Sequence, residues 1–203
     1  MALSELAQAR IFMYDFIKSL FLEEPTNETK EKWLKALAVL EKGTEFEPLD
    51  KAIRELRNHL ENAEVSDLQD EYYELFVNPA VEKPLVLTAS YYLDGKAVGP
   101  TLARLRKILG EMGIKRAENF KENEDSLVFI LDLMAILIEN LEKKVYKDNR
   151  YQEKIFENFL KPCAAGVKKT LENHPKANFY KKCAEMLQGF LLLEERLFAE
   201  GIS

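Results

Sequence analysis

Apolar positions recur at helical spacing through most of this chain. From Leu3 to Leu22 they fall at positions 3, 6, 7, 11, 14, 17, 20 and 21, one stripe along a helix. Glu24-Pro25 ends that element, because the residue before a proline avoids the helical region. Thr26 is placed to cap a second helix carrying Trp33, Leu34, Leu37 and Leu40, and Gly43 stops it. Pro48 suits the first turn of a third helix with a stripe at Leu49, Ile53, Leu56 and Leu60. Ser66 followed by Gln69 is a capping-box pattern that opens a fourth helix through Leu68, Tyr72, Leu75 and Phe76. Pro100 starts a fifth, ending near Gly113. Further on, Tyr151 to Leu160 is helical, and Pro162 marks a break or the first turn of the next helix. Asn173-His174-Pro175 is a turn, and the last helix runs from about Lys176 to Ala199. Strand-like alternation and internal repeats are missing from the pattern. It predicts an all-α fold: one domain over residues 1–203, of about eight or nine helices.

Two stretches break the amphipathic rhythm. In Glu122 to Leu141, Asp132 is the only residue between Leu127 and Ile138 that is not apolar. A helix with almost no polar face must be covered on nearly all sides, so this is the expected central helix. Its twelve apolar-run residues fall short of the roughly 20 that a membrane span needs. Asn123 is expected to cap it, with Glu124 and Asp125 where the helix dipole favours negative charge. The other break is the irregular stretch 77–100, with Pro79, Pro84, Gly95, Gly99 and Pro100. Loops this long are uncommon inside a domain and are often functional. Leu85 to Tyr92 is too apolar for a free linker and is expected to lie along the helices.

Composition narrows the function. A formal net charge of −6 argues against nucleic acid, which needs a basic face. Arg104, Arg106 and Lys107 read as a solvated basic face. Cys163 and Cys183 form no CxxC and read as buried small hydrophobes in a reducing compartment. Glu5 and Arg10 interrupt any signal-peptide core, so the expected location is the cytoplasm, without membrane insertion. Neither a GxxxxGK[ST] phosphate loop nor GxGxxG is present. Leu56 and Leu171 stand three residues before His59 and His174, so the Glu-x-x-His motif of di-metal bundles is missing. Both histidines read as surface or turn residues. Glu122, Glu124 and Asp125 could bind a hard cation, but carboxylates at a helix start are more often caps. The expectation from these residues is a protein that is not an enzyme and has no metal site.

Three stretches carry a resemblance. They are Ala9-Arg10-Ile11-Phe12-Met13-Tyr14 with Leu20-Phe21 and Pro25; Glu71-Tyr72-Tyr73-Glu74-Leu75-Phe76-Val77, then Ser90-Tyr91-Tyr92-Leu93-Asp94-Gly95; and Glu122-Asn123-Glu124-Asp125-Ser126-Leu127 before the long apolar helix. In this order the chain resembles the TorD/DmsD/NarJ-like family of cytoplasmic chaperones for molybdenum-containing oxidoreductases. The family pattern at the central-helix head reads acid-x-x-Asp-His. Glu122 and Asp125 fit it, and Ser126 stands in place of the histidine. The resemblance implies a TorD-like fold with no cofactor of its own, and binding to the twin-arginine signal peptide, or N-terminal region, of an apo-enzyme catalytic subunit. That subunit is then held for cofactor insertion before export or assembly.

The residue chemistry suits this reading, since a carboxylate is a good arginine partner and Tyr and Phe give amphipathic contact area. The candidate peptide-binding residues are Tyr72, Phe76, Ser90, Tyr91, Tyr92, Glu122, Glu124, Asp125 and Ser126. They would line a groove between the central-helix head and the 77–100 loop. The alternative for the aromatics is core packing. Substituting the acids should put only cap-scale stability at stake, roughly 0.5–2 kcal/mol. The chain is expected to be mostly monomeric, with the loop a hinge for a domain-swapped dimer. Two other function classes remain open: a small helical enzyme or metal-binding protein using the carboxylates at 122–125, and a permanent structural subunit of a redox complex.

Overall fold

The computed structural model describes residues 3–80, 84–117 and 120–201. The fold is all-α. The helices are α1 (Glu5–Leu22), α2 (Asn27–Leu40), α3 (Glu47–Asn62), α4 (Val65–Tyr72), α5 (Ala89–Asp94), α6 (Pro100–Met112), α7 (Leu127–Glu142), α8 (Arg150–Ile155), α9 (Lys161–Glu172) and α10 (Phe179–Ala199). A π-turn, Tyr73–Val77, extends α4, and another, Phe156–Leu160, joins α8 to α9. The ten segments therefore make nine continuous rods among the described residues. Pro162 lies in the first turn of α9. Its ring would crowd the carbonyl four residues back in a regular helix, and the wider π-turn just before it relieves that clash.

Several local signals act as the sequence predicts. Thr26 Oγ1 accepts from the Thr29 amide at 3.1 Å, and Thr29 Oγ1 accepts from the Thr26 amide at 2.7 Å. Gly113 ends α6 at φ +70°, in the left-handed region that favours glycine. Others act differently. The Ser66–Gln69 capping box does not form, because α4 starts two residues earlier, with Glu64 at the cap position and no side-chain cap bond. Gln69 instead donates to the Pro25 carbonyl at 2.9 Å. The 77–100 stretch contains α5 and is thus partly helical; its residues 81–83 lie outside the described residues. The final helix begins at Phe179 rather than Lys176.

The chain gathers into two compact units, each built from separated segments. One takes the N-terminal segment up to Lys18 together with Val86–Gly166. Its centre is α7, where Leu127, Ile130, Leu131, Leu133, Met134, Leu137 and Ile138 are buried. α7 packs on α8 and the π-turn after it, and α5 packs on α6. The covering of α7 is less complete than the apolar run predicts. Ile136 is 37% exposed, and Asp132 keeps half its side chain in solvent while paired with Lys18. A polar residue thus sits on a narrow open face at little desolvation cost.

The other unit takes Ser19–Leu85 and the segment from Val167 onward. α10 and α2 both pack on α3. Gly189 allows the α10–α3 approach, since a Cβ there would sit 3.0 Å from the Leu49 Cα. Trp33 stacks on Phe179 at 5.6 Å between centroids and donates to Ser19 Oγ at 3.1 Å. Glu71, 8% exposed, accepts from the amides of Asn178, Phe179 and Tyr180 at 2.8–2.9 Å. A carboxylate thus caps the positive end of α10 from a distant helix. Cys163 in the first unit and Cys183 in the second are free and buried, and burial pushes both thiols well up. His174 is a buried turn residue whose Nδ1 accepts from the Lys176 amide, so the surface reading does not hold for it.

His59 stacks on Phe179 at 6.1 Å between centroids. Burial disfavours its imidazolium and Lys182 adds to that; Glu71 opposes them, and the net effect holds the pKa below 6.5. The unfolded chain therefore takes up this proton at a higher pH than the folded chain does. Stability is fully present above the unfolded value, near 6.5, and declines as pH falls towards the folded value. Melting temperatures of the wild type should drop faster than those of His59→Phe between about pH 7.5 and 5. Parallel profiles would assign the acid sensitivity to other groups.

Candidate functional site

The family-like stretches Ser90–Gly95 and Glu122–Leu127 come together within the first unit. The connection is a short run of backbone pairing. The Leu127 amide donates to the Leu87 carbonyl at 2.6 Å, and the Ala89 amide donates to the Asp125 carbonyl at 2.8 Å. Between them Thr88 and Ser126 form an isolated antiparallel bridge. α5 thus starts against the head of α7. Its own cap residue, Thr88, makes no side-chain cap bond. Asp125 takes over that role, with Oδ2 accepting from the Ser90 amide at 2.8 Å. Ser90 Oγ in turn accepts from the Leu102 amide in the first turn of α6. Ser126 caps α7 by accepting from the Phe129 amide at 3.2 Å.

Ser90, Asp125 and Ser126 are each 0% exposed. This corrects the sequence expectation for all three: they form a buried latch that positions the surface and do not themselves face a ligand. Asn123 is not the cap of α7, and Glu124 and Asp125 precede the helix rather than fill its first turn. The reason is the bridge at Thr88, which holds Ser126 extended and delays the helix by three residues.

What this unit presents to solvent is different. Tyr91 is 43% and Leu93 42% exposed on α5, and Val98 is exposed in the following turn. Tyr91 meets the Tyr92 ring edge-on at 5.2 Å. Tyr92 is a half-buried brace, its hydroxyl donating to the Val86 carbonyl at 2.6 Å. Gly166 leaves room for that ring, since a Cβ there would overlap it. After α5, Asp94 accepts from both the amide and the hydroxyl of Thr101 and thereby fixes the entry to α6.

Among the acids, Glu122 is exposed and its side chain makes no ion pair among the described residues; its carbonyl accepts from Arg116. The Glu124 carboxylate is 13% exposed and accepts from Nε and Nη2 of Arg106 at 3.0 and 2.8 Å. Partial burial works against its ionisation, but the Arg106 bonds outweigh that and hold its pKa below the ordinary value. Arg106, expected to be simply solvated, is thus a fixed partner of the acidic head. Sequence reading missed it because the two residues lie eighteen positions apart with no periodic link.

Tyr72 and Phe76 belong to the second unit, where both are partly exposed. Their rings lie 5.1 Å apart, and Phe76 packs edge-on against the buried Tyr180 at 4.9 Å. Among the described residues no group of three or more His, Cys, Asp or Glu side chains could hold a metal ion, and no helix is long and apolar enough to cross a membrane.

The profile of the nitrate reductase delta subunit family matches residues 45–166, more than half of the chain. The chain belongs to this family. The matched residues include the α4 stretch from Glu71, residues 85–88 before α5 and the head of α7. The N-terminal stretch Ala9–Tyr14 lies outside them. A search of curated protein sequences finds no match. Among solved structures, a protein from Archaeoglobus fulgidus assigned to redox enzyme maturation superposes with a TM-score of 0.51 at 15% identity, over 96% of each chain. At that identity the likeness speaks to the fold. In this member of the delta subunit family, the latch between α5 and α7 is the feature that joins the family-like residues on one unit.

Proposed function

We propose that this protein is a cytoplasmic maturation chaperone. It binds the twin-arginine signal peptide, or N-terminal region, of the apo catalytic subunit of a molybdenum-containing oxidoreductase and holds it for cofactor insertion. One observation carries the proposal beyond family membership. The latch fixes exposed Tyr91 and Leu93 on the unit that presents Glu122 and Glu124. These residue types match the basic start and apolar run of a signal peptide. Glu122 is open to a client arginine. Glu124 is already paired, so a client arginine there would exchange with Arg106 rather than add a new pair. Tyr91 and Leu93 would cover the apolar segment. On this reading the protein is mostly monomeric and needs no cofactor of its own.

Titration calorimetry with a peptide carrying paired arginines and an apolar run tests this reading. Glu122→Ala should weaken binding by about 1 kcal/mol, the range of exposed ion pairs, with affinity falling as salt rises. Tyr91→Ala should cost roughly 1–2 kcal/mol with little salt dependence. Both variants should melt like the wild type. Wild-type affinity in both would move the peptide elsewhere. In cells, the chaperone should retain an unexported precursor; co-purification only with the mature complex would point to a permanent subunit.

A further inference from the structure

A concave surface that the peptide reading does not use lies within the first unit. It is a cavity of about 260 Å³ between α6 and the α8 rod at its π-turn. α6 contributes Arg104 and Lys107, one helical turn apart, and Glu111 one turn further on. The facing rod contributes Lys154 and Asn158. The floor is apolar: Ile108 is 5% and Phe159 2% exposed. Three cations against one carboxylate leave a local surplus of two positive charges, on a chain whose formal net charge is −6.

The three cations differ in how they are held. Lys107 and Lys154 are exposed, and neither makes an ion pair among the described residues. Arg104 is oriented by Nη2, which donates to Thr101 Oγ1 at 2.8 Å. Thr101 is itself buried and fixed by Asp94, so the guanidinium stands on a rigid base. The π-turn Phe156–Leu160 forms the facing wall, and such turns occur frequently at functional sites.

We propose that this cavity binds a small-molecule phosphate monoester. A phosphate monoester carries up to two negative charges, which match the surplus, and three terminal oxygens, one for each cation. The guanidinium offers a planar fork and the ammonium groups act as point charges, a combination suited to phosphate. The ester carbon would lie over Ile108 and Phe159. A docking helix is a poorer fit, because both floor residues are nearly covered and offer little apolar area to bury.

Calorimetry of the full chain with phenyl phosphate, at low salt, tests the proposal. Saturable one-to-one binding is expected, displaced by inorganic phosphate. The double variant Lys107→Gln/Lys154→Gln should weaken it at least about tenfold per charge-assisted bond lost. Glu111→Gln should tighten it, a gain that a misfolded protein would not give. Circular dichroism should show both variants folded. No saturable binding would overturn the proposal. So would equal affinity for phthalate, which would show attraction to any dianion, and so would binding of an acidic peptide in place of phenyl phosphate. Because Glu122 and Tyr91 do not line this cavity, their alanine variants should bind phenyl phosphate normally. Failure here would leave the peptide reading untouched.

Discussion

Glu71→Ala should be among the most destabilising single substitutions in the chain. The carboxylate is nearly buried and satisfies three amides at the start of a 21-residue helix. Each bond is charge-assisted, and two of the donors, in Phe179 and Tyr180, have no solvent to turn to. Truncation removes the bonds and leaves these donors unpaired. The effects are not additive, and a total of roughly 3–5 kcal/mol is expected. For a chain of this size that corresponds to a fall in Tm of about 6–20 °C. Glu71→Gln keeps one acceptor oxygen and should lie between alanine and wild type. Thermal melts followed by circular dichroism give both numbers. A loss below about 1 kcal/mol would mean that water or a neighbour caps α10 equally well.

Glu71 also shows where the sequence stopped being informative. Its stretch was legible as family-like, but its partner amides lie 107 to 109 positions away and no local pattern points to them. Elements set by short-range chemistry were readable: the Thr26 cap, the proline starts of α3 and α6, the Gly113 stop and the apolar body of α7. Elements set by distant contacts were not. α5 spans only six residues, too few for a period to declare itself, and its first turn is held by a carboxylate 35 positions on. The one local clue was Asp94-Gly95, since Gly95 ends α5 at φ +72°. The cap of α7 fell to Ser126 instead of Asn123 for the same reason: pairing with Thr88 decides where the backbone turns. Each compact unit is assembled from separated segments, which a pass along the chain cannot see. For the candidate site, residue types were legible and exposure was not. Asp125, Ser126 and Ser90 carry the resemblance yet are buried, whereas exposed Leu93 carries no signal beyond its place in the same stretch.

Burial changes the expected result at Asp125 from cap scale to core scale. Asp125→Ala should cost about 2–4 kcal/mol: a charge-assisted bond goes, and the buried Ser90 amide loses its acceptor. Asp125→Asn keeps a neutral oxygen for that amide and should lose less. The damage should be local in its first step. With the carboxylate gone, the hydrogen bonds that join residues 87–90 to the head of α7 among the described residues are the two backbone bonds at Leu87 and Asp125. Amide hydrogen exchange at Ala89, Ser90 and Leu127 should therefore accelerate before the rest of the unit opens. Peptide binding should weaken in Asp125→Ala because α5, which carries Tyr91 and Leu93, is no longer latched to the head of α7. Tyr91→Ala separates that from direct contact, since it removes contact area while leaving the latch closed. The pair of variants, compared by exchange and by calorimetry, assigns Asp125 a positioning role if exchange and affinity change together in Asp125→Ala while affinity alone changes in Tyr91→Ala. Wild-type protection at Ser90 in Asp125→Ala, with an unchanged melt, would mean that the latch is held by the backbone pairing alone.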